Sequence, residues 1–212
     1  MTDYILRVTA FDGMIRAFFA TSQACVQRAC DAHHTTPVAT ATLGRLLTAG
    51  AMMGLMLKGE KDKLTLELKG DGPGGKVLVT ADNQGKVKGF IAHPEANVPN
   101  KPNGKLNVST LVGKGTLSVI RDMPFGQPYH GMVEIVSGEI AEDLAYYFAQ
   151  SEQVPSVVSL GVLVAGTKVW QAGGFILQLL PGASEEATKL LEDKLQGLDS
   201  LTTLYSKGET PE

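Results

Sequence analysis

Cys25 and Cys30, the four histidines, one glycine-rich run and one acidic pair are the residues whose types could do chemistry in this chain of 212 residues. Two thiols can form a disulfide or share a metal. Cys25 and Cys30 stand five positions apart in a segment of helical pattern, which separates them by about 140° around the axis and keeps them from bridging or chelating. Packing on a helix is the reading they support. His33 and His34 precede a helix cap at Thr36, and His93 and His130 stand alone without an acid or cysteine at ligand spacing, so none is read as a base or metal ligand. Gly70-Asp71-Gly72-Pro73-Gly74-Gly75-Lys76 imitates a phosphate loop, but Val77 occupies the Ser/Thr place and Pro73 has no N–H to donate. It reads as a hairpin turn. Val157-Val158-Ser159-Leu160-Gly161 lacks the first glycine of a nucleophile elbow, which makes Ser159 a strand residue. Glu142 and Asp143 are adjacent, about 100° apart on a helix, and suit its dipole rather than general acid–base work. No catalytic, cofactor-binding or metal-ligating residue follows, and the chain is read as a non-enzyme. A small-molecule enzyme survives as an alternative only if a pocket gathers Arg45, Arg121, Asp122 and His130.

The elements around these residues are readable from pattern. Ile5–Ala10 and Ile15–Ala20 alternate as strands about an Asp12-Gly13 turn. Thr21 or Ser22 caps a helix running to His33, and Thr36-Pro37 starts a long apolar helix. That helix, within Val38–Leu57, is tested against a membrane span because Gly50 and Gly54 have the spacing of close-packed membrane helices. Arg45 and three threonines decide for a buried helix of a globular domain. Leu64–Lys69, Val77–Thr80 and Val87–Ile91 form a meander, residues 93–104 form a loop, and Gly115–Asp122 and Gly131–Val136 add strands. The sheet then has roughly seven strands. Gly138–Ser151 is a helix with Glu139, Glu142 and Asp143 in its first turns and a stripe of Ile140, Leu144, Tyr147 and Phe148. Ser156–Val164 and Val169–Leu180 return to strands, with a bulge or close approach at Gly173-Gly174. From Ser184, a helix cap, Leu190, Leu191, Leu195 and Leu198 recur at helical spacing. The fold class is α+β: mainly antiparallel sheet, in one layer or more, packed with helices, one of them long, apolar and buried, plus a C-terminal helical linker.

Composition narrows the partners. A net charge of −3 and the absence of a basic cluster give no footprint for nucleic acid. The pattern also argues against a membrane partner. Two cysteines and a start without a secretion signal place the protein in the reducing cytoplasm.

Several unusual strings occur in a specific order: Leu43-Gly44-Arg45-Leu46-Leu47-Thr48-Ala49, Gly70-Asp71-Gly72-Pro73, Val112-Gly113-Lys114-Gly115-Thr116-Leu117, Ile120-Arg121-Asp122, Gly138-Glu139-Ile140-Ala141-Glu142-Asp143, Ser151-Glu152-Gln153, Gly161-Val162, and Gln171-Ala172-Gly173-Gly174-Phe175. Through residues 4 to 182 the chain resembles the 33-kDa heat-shock proteins, redox-regulated holdase chaperones of the bacterial cytosol. The resemblance implies ATP-independent binding of unfolding proteins under oxidative or heat stress, and homodimers on activation. It further implies a small C-terminal zinc domain with four cysteines, oxidised to disulfides on activation, which the sequence is expected to lack together with its redox switch. Cys25 and Cys30 match neither the spacing nor the position of those ligands. The expected organisation is a substrate-holding domain over 1–182 and a partial helical linker over 183–212, with no cofactor held by this chain.

Client proteins, or a second copy, are expected to meet the apolar stripe of the tail: Leu190, Leu191, Leu195, Leu198, Leu201 and Leu204. A purely structural dimerisation module is the other alternative, and a tail folded silently back on the sheet is the plainer outcome for the stripe.

Overall fold

Alternating strands that are apolar on one side must find something to cover that side, and here a single helix serves two sheets. The computed structural model describes residues 2–124, 126–183, 185–196 and 201–207. The hairpin β1 (Tyr4–Ala10) and β2 (Ile15–Thr21) leads into helices α1 (Gln23–His33) and α2 (Pro37–Gly54). Strands β3 (Lys63–Gly70), β4 (Val77–Asp82) and β5 (Val87–Ile91), the short helix α3 (Val108–Val112), and β6 (Gly115–Asp122) and β7 (Tyr129–Glu134) follow. Helix α4 (Ala141–Gln150), the hairpin β8 (Ser156–Ala165) and β9 (Lys168–Leu179), and tail helices α5 (Glu185–Gln196) and α6 (Leu201–Ser206) complete the order.

The fold is α+β, as expected, and its strands divide into two antiparallel sheets, a number the sequence pattern left open. The first has the order β1-β2-β9-β8 and the second β5-β4-β3-β6-β7. Strand pattern carries no information on which distant strands pair, so the pairing of β2 with β9 across the chain was invisible to it.

Helix α2 lies between the sheets, in contact with β2, β8 and β9 of one and with β3, β4 and β5 of the other. Every residue of it except Pro37 and Arg45 is buried, and no helix among the described residues is long and apolar enough to cross a membrane. Its glycines set the distance to its neighbours: a methyl group on Gly44 would come within 2.7 Å of Val26, and one on Gly50 within 2.7 Å of Val79. Gly54, at the spacing tested for membrane packing, lies instead against the Asp82 carbonyl of β4. The Thr36 hydroxyl accepts the Ala39 N–H at 3.3 Å, with Pro37 next to it, as expected of that cap.

Other local expectations are corrected by the packing. The Ser22 side chain does not cap α1; its hydroxyl meets Thr48 at 2.6 Å, and the Asp3 carboxylate accepts the N–H groups of Ala24 and Cys25 at 3.0 and 2.7 Å. Helix α3, capped by Asn107, falls in a stretch with too few apolar positions to show a period. Glu139 precedes α4 rather than opening it. Asp143 is wholly buried and accepts the N–H groups of Val136, Ser137, Gly138 and Ile140 at 2.9, 2.9, 3.3 and 2.9 Å. That nest holds Ile140 at φ +67°, a conformation β-branched residues avoid, and points its side chain into the core. The register shift of β8–β9 lies at Leu163/Val164, not at Gly173-Gly174. Gly174 serves close approach: a Cβ on it would sit 2.6 Å from the Ser159 carbonyl.

Candidate functional site

The outer face of the first sheet is built from cross-strand rows. Register aligns Leu6, Phe19, Phe175 and Ser159 in one row, and Val8, Ala17, Leu177 and Val157 in the next. Residues directly opposite share a face, so the strands that send Phe18, Ala20 and Ile176 inward also present an apolar outer surface. Both faces of β2 and β9 are therefore apolar, which is why their sequences read as near-continuous hydrophobic runs. Phe19 and Phe175 meet with ring centroids 5.9 Å apart.

The tail covers the middle of this face. Leu191 and Leu195 of α5 and Leu201 of α6 pack against Ala17, Phe175 and Leu177, which are 6, 5 and 8% exposed. Helix α6 touches β8 and β9. The margins stay open, with Leu6, Val8 and Val157 at 37, 39 and 38%. Of the stripe singled out in the sequence, Leu191, Leu195 and Leu201 converge here, while Leu204 of α6 is half-buried and outside this cluster. Leu198 and the side chain of Leu190 lie outside the described residues, as does the expected cap at Ser184. The partners of the stripe, in particular Phe175 and Leu177, were missed, although the apolar run through β9 was the available signal.

Among the described residues, no catalytic grouping competes with this face. The phosphate-loop mimic is a hairpin turn whose Gly72 and Gly74 N–H groups donate to the Val112 and Leu111 carbonyls at 3.0 Å, so neither is left for a phosphate. Arg45 and Arg121 pair separately with Glu139 and Glu152, which flank α4 and so stand about 15 Å apart along it. They do not form one pocket. His33 contacts the Gly89 carbonyl at 3.0 Å, and His93 lies 4.0 Å from Glu95. Ser159 sits regularly within β8.

The thiols do not fit zinc. Both are unpaired, Cys30 is buried with its Sγ directed at the Thr167 carbonyl 3.6 Å away, and no group of three or more potential ligands is found among the described residues. Burial and then the Asp3 carboxylate push the Cys25 thiol up, which disfavours the reactive thiolate. Around α4, burial and the adjacent Glu152 carboxylate raise the Tyr147 phenol, whose O–H donates to Glu152 at 2.9 Å. Burial alone would raise Glu139, but hydrogen bonds from Lys101 and Arg45 outweigh it and hold that carboxyl below its usual value. These groups fasten the layers. The site's own chemistry is apolar contact.

Comparison with known proteins fits this picture. Residues 3–212 match the Hsp33 protein family. The 33 kDa chaperonin of Ruminiclostridium cellulolyticum is 51% identical over the whole chain and 73% of the relative. That of Lachnoclostridium phytofermentans is 54% identical with the same coverage of the relative. The crystal structure of the 33 kDa chaperonin from Thermotoga maritima superposes with a TM-score of 0.93 at 36% identity, covering 98% of this chain and 71% of that one. The match spans both sheets, the buried helix and the tail, and on it the chain belongs to the Hsp33 family, a family of chaperones and not of enzymes.

Proposed function

We propose that this chain is an ATP-independent holdase which captures apolar segments of unfolding proteins on the outer face of the first sheet when the tail helices lift away. The observation that carries the reading is the seating of Leu191, Leu195 and Leu201 on Ala17, Phe175 and Leu177. A stable domain does not need a second apolar face on the same strands, and covering it with an amphipathic tail stores a binding surface that appears only on undocking. Released leucines of the tail would add to the same surface, and exchange of tails between two copies would give a homodimer. The resemblance adds a cytoplasmic setting and activation by oxidation through zinc-bound cysteines. Cys25 and Cys30 do not suit that role, so the capture step is assigned to this chain and the redox step is not.

The test is light scattering of a thermally unfolding client with and without the chain, under reducing and oxidising conditions. Suppression that is equal in both conditions, and stronger for Leu191→Asp, is expected. A well-folded chain that suppresses in neither condition, with or without the substitution, would move capture elsewhere.

A further inference from the structure

On the other side of the first sheet, away from the tail, the core ends in a cluster of arginines. Arg7 of β1 and Arg16 of β2 have their guanidinium carbons 5.8 and 5.6 Å from the centroid of the Phe18 ring. Phe18 is itself wholly buried, so both cations lie on the core-facing side of the sheet. Arg121, two residues beyond the buried Val119 on β6, approaches from the second sheet and interacts electrostatically with Arg16. The charges acting on Arg16 are Arg7, Arg121 and the carboxylate of Glu152. Glu152 is already held by Arg121 and by the Tyr147 hydroxyl.

Arg16 is therefore an unusual cation. Its Nη2 donates to the neutral carboxamide of Gln178 at 2.6 Å, and its Nε is buried with no hydrogen-bond partner among the described residues. Arg45, whose Nε is also unpartnered, has Glu139 as a counter-ion at 2.8 Å. Arg16 has no ion pair of its own among the described residues. A partly desolvated guanidinium beside two like charges is costly unless an anion joins it.

We propose that Arg7, Arg16 and Arg121 form a binding site for an oxyanion of the phosphate class. Three guanidiniums against one carboxylate leave two positive charges, which a divalent phosphate group neutralises and a monovalent carboxylate does not. The guanidinium fork suits bidentate contact with its oxygens. Arg7 is exposed and gives the entry side, while the half-buried Arg16 supplies the inner, uncompensated charge. Chains with a net charge of −3 have no general attraction for anions, so binding would report this local arrangement.

The experiment is calorimetric titration and thermal unfolding of the full chain with inorganic phosphate, pyrophosphate or acetate, each against sodium chloride at matched ionic strength. Phosphate is expected to bind with Kd below about 1 mM and to raise Tm. Arg16→Gln should weaken it by about tenfold or more, and Arg7→Ala by a smaller factor. Glu152→Gln, which removes the competing carboxylate, should tighten it. Should Arg16→Gln fail to fold, Arg7→Ala decides, since that residue is exposed. A phosphate effect equal to chloride, or unchanged in Arg7→Ala, would overturn the site. An acetate effect equal to that of phosphate would overturn the phosphate class.

Discussion

The two faces of the first sheet are made by the same strands, yet they are covered in different ways. Inward, Phe18 and Ile176 have no exposed surface and meet α2, which is itself enclosed on all sides. Outward, Phe175 and Leu177 are nearly as well hidden, but their cover is the half-buried Leu191, Leu195 and Leu201 of two tail helices. An interior packed from all sides opens only with global unfolding. A cover held by three half-buried leucines, at about 1 kcal/mol each, can open locally. Equal burial thus hides unequal stability, and the less stable cover is where a binding surface can be kept in reserve.

The largest effect should come from cutting the inner face. Ile176→Ala is expected to cost about 2–5 kcal/mol in urea unfolding, because the enclosed site cannot collapse around the lost atoms. Leu177→Ala, its neighbour on the other face, should cost about 1–2 kcal/mol, since the tail can settle onto the smaller side chain. Equal losses would break the comparison and make the tail part of the core.

Next in size is loosening of the cover itself. Leu191→Asp or Leu195→Asp puts a charge against Phe175 and Leu177. Each should cost about 1 kcal/mol or a little more in global stability while raising the binding of an apolar fluorescent dye. Dye binding unchanged from the parent chain would mean that the tail holds by contacts other than these leucines.

The legible part of this molecule was whatever repeats locally. The alternation in β1 to β5, the Thr36-Pro37 start of α2 and the stripe of α4 needed only neighbours in sequence, and the structure has them. The division into two sheets was not legible, because β2 meets β9 across most of the chain. Asp143 was misread for a related reason: its place in the first turn suggested the helix dipole, whereas the N–H groups it collects come mostly from the segment before the helix. The stripe of the tail was visible, but not its seat. Leu191, Leu195 and Leu201 are half of a contact whose other half, Ala17, Phe175 and Leu177, lies on strands at the two ends of the chain.

The smallest effect distinguishes the layers by charge. Glu139 bonds Arg45 at 2.8 Å and also pairs with Lys101, so it ties α2 to the loop after β5 and to the entrance of α4. Its folded carboxyl is held below the ordinary glutamate range, because the hydrogen bonds and charges of Lys101 and Arg45 outweigh its burial. The stabilisation from a depressed carboxylate is present above the unfolded value and is lost as pH falls through the folded one. Lys101 is 34% exposed, which screens the pair, so the whole contribution should be within about 1 kcal/mol. Below about pH 4.5 the parent chain should therefore lose stability that Glu139→Gln lacks from the start, and the two should converge in stronger acid. The leucine contacts of the tail carry no charge and should not follow that curve. Methyl signals of Leu191 and Leu195 should then keep their docked positions as pH falls below about 4.5, while the inner clamp weakens. Undocking of the tail in step with Glu139 protonation would show instead that both faces answer to one clamp, and that acid alone can uncover the outer one.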